Sequence, residues 1–126
     1  MPPIDNNTMR FYQRIAVDDH FGGIGIGDEA ERLATSIIDK PIVLMGNHGV
    51  MAIGDSIGRV FDDLYHFERA CEILFAALSS GRELAVVSHD TAKKTAEQWE
   101  QYLQVGDLHF DAIKQILDEE EPEYRS

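Results

Sequence analysis

The sequence predicts a chain of α/β or α+β character, a few strands followed by mostly helix. Two apolar runs and one long periodic segment carry that prediction. Ile42-Val43-Leu44-Met45 is a short continuous apolar run, consistent with a strand covered on both faces. Val50-Met51-Ala52-Ile53 is a second strand, separated from the first by the tight turn Gly46-Asn47-His48-Gly49, so the pair reads as a hairpin or a kinked bulge. From Ile57 to about Leu78 apolar residues recur at alternating spacings of three and four: Ile57, Val60, Phe61, Leu64, Phe67, Cys71, Leu74, Phe75 and Leu78. That period places one core-directed stripe along a long helix.

The remaining elements follow in order. Pro2, Pro3 and the polar group Asp5-Asn6-Asn7-Thr8 open the chain as a loop with helix-capping candidates, leading to a short helix or turn through Met9-Arg10-Phe11-Tyr12. Arg14-Ile15-Ala16-Val17 reads as a strand, and Gly22-Gly23-Ile24-Gly25-Ile26-Gly27 as a glycine-rich loop. Asp28 can cap a helix from about Glu29 to Ile38 whose apolar face is Ala30, Leu33, Ala34 and Ile37. Pro41 cannot easily continue it. Asp55-Ser56 caps the long helix and Ser79-Ser80-Gly81 stops it; Asp90 or Thr91 starts another that reaches about Leu103, and a last helix covers roughly Leu108 to Leu117. No internal repeat or domain boundary interrupts residues 1–126, and the strands are few for a self-contained sheet.

Composition excludes several classes of function. At 126 residues there is room for one modest domain. Eleven basic against 23 acidic residues leave a net charge of −12, which repels phosphate backbones and anionic lipid and argues against nucleic acid or membrane partners. The run Asp118-Glu119-Glu120-Glu121 reads as a solvated terminal segment. A single cysteine, Cys71, rules out an intramolecular disulfide and a Cys-rich zinc module, and its place on the apolar stripe predicts an inert thiol. No segment is apolar enough to span a bilayer, and the start lacks a signal-peptide pattern, so a cytoplasmic location is expected.

Among candidate sites, the glycines at 23, 25 and 27 alternate rather than follow Gly-x-Gly-x-x-Gly, and Asp28-Glu29 would repel a pyrophosphate; a connecting loop is the reading. Of five histidines, His89 and His109 read as surface residues, and His20 lies in a loop beside Asp18 and Asp19. His66 stands four residues after Asp62, a spacing able to hold a metal, but Asp62, His66 and Arg69 lie off the apolar stripe and read as a solvated helix face. Glu68 falls on the core-facing stripe; either it is buried and partnered, or, the favoured reading, it is in a structural ion pair or is a helix-edge residue that reaches solvent. His48 is different. Glycines 46 and 49 bracket it on a turn between two apolar strands, where a side chain is held at the mouth of a sheet. On these grounds it is a ligand, a catalytic group or a structural histidine.

The segment Leu44-Met45-Gly46-Asn47-His48-Gly49-Val50-Met51-Ala52-Ile53-Gly54, followed by Phe61-Asp62-Asp63-Leu64-Tyr65-His66-Phe67-Glu68-Arg69-Ala70-Cys71, resembles the C-terminal half of the class II aldolase/adducin family, most of all its bacterial adducin-like branch. The opening residues 3–12 resemble the middle of such domains and residues 121–126 their usual ending, so the likeness covers nearly the whole chain. It implies a three-layer α/β/α sandwich with a mostly antiparallel sheet and long C-terminal helices, usually a homotetramer. It also implies a divalent cation, typically zinc, held by three histidines and in several members a glutamate. His48 matches the last of those histidines.

The match has a gap. The family's other two metal histidines, spaced His-x-His, lie upstream of the point where this chain begins, and no His-x-His occurs in it. A catalytic zinc normally takes three protein ligands, so residues 1–126 are expected to be a partial domain: a fragment, a truncated product or one piece of a split protein with an upstream complement. The resemblance implies a metal-dependent aldolase-like lyase that makes or breaks a carbon–carbon bond in a small hydroxy-carbonyl substrate, with epimerases and decarboxylases among close relatives. Its alternatives are a non-catalytic adducin-like association module and an inactive fragment.

Overall fold

The computed structural model describes every residue except Phe21, Gly25, Ile38, Leu103 and Ser126, and for Ser36 the backbone only. Five helices and three strands follow one another as α1 (Asn6–Arg10), β1 (Ile15–Asp18), α2 (Asp28–Ser36), β2 (Ile42–Met45), β3 (Gly49–Ala52), α3 (Ile57–Ser79), α4 (His89–Gln101) and α5 (Gln104–Glu120), closed by a 3-10 turn at Pro122–Arg125. The chain is therefore α/β.

Caps start the helices where local chemistry provides them. Asp5 accepts from the Thr8 amide at 2.9 Å while the Thr8 hydroxyl takes the Asp5 amide, a reciprocal capping box before α1. Ser56 caps α3 through the Arg59 amide, as its sequence position suggests. One expected cap is displaced. Asp28 is the first residue of α2, and the cap is Gly27 at φ 69 with no side-chain bond. Helix α4 starts at His89, just ahead of the expected Asp90 or Thr91, with Ser88 as its cap.

The sheet order is β1-β2-β3, with β1 parallel to β2 and β2 antiparallel to β3. Parallel pairing demands a crossover, which α2 supplies between β1 and β2. Ile42 and Val43 at the centre of the sheet are fully buried. Phe11, Ile42, Phe67 and Ala70 form the core, with Ile15, Leu44, Val50 and Ala52 packed round it. The Phe11 and Phe67 rings meet edge to face at 5.4 Å and 88°, a geometry that adds about 1 kcal/mol to the burial itself.

The long apolar stripe is only partly used. Phe67 and Ala70 are buried, but Ile57, Phe75 and Leu78 stand exposed. Helix α3 touches α1, β3 and α5, so its buried surface wraps round the stripe's flank instead of following it. Where α3 meets α5, Gly58 and Gly106 let the two backbones close up; a Cβ on Gly106 would stand 3.1 Å from the Arg59 Cα. That contact also explains why α5 begins at Gln104, four residues ahead of the apolar signal at Leu108. The acidic run is less free than its composition suggests: Asp118 is half-buried and bonds Tyr124 and Arg125 of the closing turn.

Candidate functional site: a histidine turn and a buried charge network

The β2–β3 hairpin places His48. Met45 pairs with Gly49, and the His48 amide donates to the Met45 carbonyl at 3.1 Å, closing a three-residue loop over residues 46–48. The left-handed positions are Asn47 at φ 56 and Gly49 at φ 157. Asparagine tolerates the first at small cost; the second favours glycine. Gly46 serves differently. Its amide donates to the Asp18 carbonyl at 2.9 Å, and a Cβ there would sit 3.4 Å from the Asp19 backbone. The turn is thereby locked to the end of β1, and the exposed His48 is carried at the rim of the sheet.

Beside the turn, Asp18 ends β1 with its side chain buried. Its Oδ1 accepts from Arg32 at 2.6 Å and from the His20 amide at 3.0 Å. The Arg32 hydrogen bond outweighs desolvation and holds this carboxyl below the usual carboxylate range. Its Oδ2 is buried without a partner.

A second concentration of polar chemistry lies between α1, α3 and α5. Arg10 Nη2 donates to Asp62 at 2.6 Å and to Asp63 at 2.8 Å, while Nε adds a bond to Asp63 at 3.2 Å. His109 Nδ1 stands 2.7 Å from Asp62 Oδ1, and His66 Nε2 is 3.5 Å from the same oxygen while its Nδ1 meets Asn7. Burial alone would raise the Asp62 carboxyl; hydrogen bonds from Arg10 and His109 overcome it and leave the group lowered. Burial, reinforced by the nearby Arg10 charge, pushes His66 below its ordinary value. Tyr65 and Phe61 close over the His109 ring at 5.0 and 5.6 Å.

These positions revise several expectations. Asp62 is 2% exposed, so the Asp62/His66 face is an internal ion-pair network and not a solvated surface. His109 is half-buried in that network, not a surface histidine. Arg69 is exposed, as expected, in a pair with Glu72. Glu68 reaches solvent as a helix-edge residue, and burial raises the half-buried Cys71 thiol, as suits an inert group. His89 is exposed and bonds the Tyr12 hydroxyl at 2.9 Å; His20 is exposed. Among the described residues no three His, Cys, Asp or Glu side chains converge to hold a metal ion. His48 and the pair His66/His109 thus belong to separate places, and this chain's described residues do not by themselves fit a metal centre.

Comparison with known proteins agrees with the fold. Residues 1–75, from α1 through most of α3, match the family described as Class II Aldolase and Adducin N-terminal domain. The chain belongs to the class II aldolase/adducin family. Human beta-adducin is 32% identical over 90 residues, which span 61% of this chain and 12% of that protein. An aldolase II superfamily protein from Pseudomonas syringae superposes with a TM-score of 0.88 at 28% identity, over 99% of this chain and 51% of that one. An L-fuculose 1-phosphate aldolase from Glaciozyma antarctica PI12 shares the fold, with a TM-score of 0.72 at 20% identity over 94% of this chain and 45% of that one. The chain spans about half the length of these solved relatives. No described helix is long and apolar enough to cross a membrane.

Proposed function

We propose that residues 1–126 form the C-terminal half of a class II aldolase-type domain and contribute His48 to a divalent-metal site of an aldolase-like lyase. The observation that carries this reading is the placement of His48: an exposed imidazole on a turn that Gly46, Asn47 and Gly49 lock to the end of β1. Such a turn fixes the backbone from which the imidazole projects, as a ligand position requires. A core histidine would have no need of it.

The other ligands come from an upstream half of the domain, carrying the His-x-His pair, which this chain meets either as its own preceding sequence or as a separate polypeptide. In the complete domain the three-stranded mixed sheet is extended into the mostly antiparallel layer of an α/β/α sandwich, assembled as a homotetramer. The metal is zinc or a similar divalent ion, the substrate a small hydroxy-carbonyl compound, and the setting cytoplasmic. The name of the Glaciozyma antarctica relative favours carbon–carbon bond cleavage over epimerisation or decarboxylation.

The test is reconstitution. The chain is mixed with an upstream polypeptide bearing His-x-His and assayed for aldol cleavage of small β-hydroxy-carbonyl sugar phosphates and the corresponding free sugars. Activity that requires both pieces, and is lost in His48→Ala, supports the reading. A reconstituted domain whose activity His48→Ala leaves unchanged removes His48 from the site.

A further inference from the structure

The network round Asp62 encloses a small polar cavity of about 20 Å³ where α1, α3, α4 and the start of α5 meet. Its charged wall consists of Arg10, Arg14, Arg59, Asp62, Asp63 and Glu100. Three guanidiniums thus face three carboxylates, and the wall carries no net charge.

One donor on that wall is unspent. Arg10 grips its aspartates through Nε and Nη2, and its Nη1 is buried with no partner among the protein's own atoms. The guanidinium carbon lies 5.1 Å from the Trp99 ring, whose π face is only a weak acceptor. Stronger acceptors stand on the same wall. Asp63 engages Arg10 through Oδ1 alone, which leaves Oδ2 with lone pairs to spare. Glu100 meets Arg14 through Oε1 at 3.1 Å and has a second carboxylate oxygen.

Size and charge together select the occupant. A water needs about 10–15 Å³ of such space, so 20 Å³ admits one and has no room for a second. A polyatomic anion is too large and would face Asp62, Asp63 and Glu100. A cation would meet Arg10 Nη1, which can only donate. A neutral molecule that both accepts and donates satisfies the two sides at once.

We propose that this cavity binds one internal water, which accepts from Arg10 Nη1 and donates to Asp63 and Glu100. The water completes the hydrogen bonding of the buried guanidinium. It also gives α4 a polar link that direct packing does not supply. Helix α4 packs mainly on α1, whereas Asp63 belongs to α3, so a water shared by Glu100 and Asp63 ties α4 into the network.

Two measurements on the full chain test this. A high-resolution crystal structure should place a single water within about 3.2 Å of Arg10 Nη1 and of a carboxylate oxygen of Asp63 or Glu100. Oxygen-17 relaxation dispersion of the solvent then shows whether it is held in solution, because the method registers waters that stay longer than the protein takes to tumble. A dispersion amplitude of at least one such water is expected. A flat profile, an Nη1 bonded directly to a protein acceptor, or a cavity that is dry or filled by anything other than one water would each overturn the proposal.

Discussion

The hairpin turn at His48 and the network round Asp62 are built from similar residues under opposite rules. At the turn, backbone geometry does the positioning: Asn47, Gly49 and the Gly46 amide fix the backbone that carries the exposed His48. In the network, side chains position one another: Arg10, Asp62, Asp63, His66 and His109 bond or pair with each other in the interior and tie α1 and α5 to α3. The difference teaches how to separate function from structure here. A polar group on an exposed turn adds little to the core, whereas one consumed by buried partners mainly holds the fold.

Removing the cation of the network should show the largest effect. Arg10→Met leaves Asp63 buried without its cation and Asp62 with only its histidine neighbours, and is expected to cost about 3–5 kcal/mol in denaturant unfolding. If it cost no more than a surface substitution, the ion pairs would not be structural. Next is the helix contact behind the network. Gly106→Ala gains roughly 1 kcal/mol of helix propensity. The added methyl meets the Arg59 Cα at 3.1 Å and the Asp62 Cβ at 3.3 Å, and Asp62 is held in place by Arg10 and His109. A net loss of about 1 kcal/mol is expected, seen as a lower midpoint.

Acidification weakens the network. The folded state lowers the His66 pKa, so the unfolded chain takes up the proton first. The stabilisation is fully present above the ordinary histidine value of 6.5 and is lost as pH falls from there to the folded value. Asp62, also lowered, adds a second loss as pH falls below its ordinary 3.8. Unfolding midpoints measured from neutral pH down through both ordinary values check this, and His66→Gln should flatten the upper limb. The smallest stability effect belongs to the turn: His48→Ala should shift unfolding by no more than about 0.5 kcal/mol, because the side chain is exposed.

Legibility in the sequence followed the same division. The hairpin is written locally: two apolar runs and a Gly-Asn-His-Gly turn specify β2, β3 and the position of His48. Helix α3 was equally plain in extent, since its period runs unbroken across the element. Which residues it buries was not, because Arg10 lies 52 positions from Asp62 and His109 lies 47 from it. One signal was present. Arg10 interrupts the otherwise apolar Met9-Phe11-Tyr12 segment, and a charge in a helix packed on the core requires a counter-ion, which the adjacent Asp62-Asp63 could supply. The small Gly106 likewise marked a close helix approach that hydrophobic periodicity does not register.

The most direct test compares two histidines in one experiment. In the domain completed with an upstream His-x-His half, zinc affinity and unfolding free energy are measured for His48→Ala and His109→Ala. The account predicts that His48→Ala loses stoichiometric zinc while stability stays within about 0.5 kcal/mol. His109→Ala should keep zinc and lose about 1–3 kcal/mol with its charged hydrogen bond to Asp62. Zinc retained without His48, or lost with His109, would contradict it.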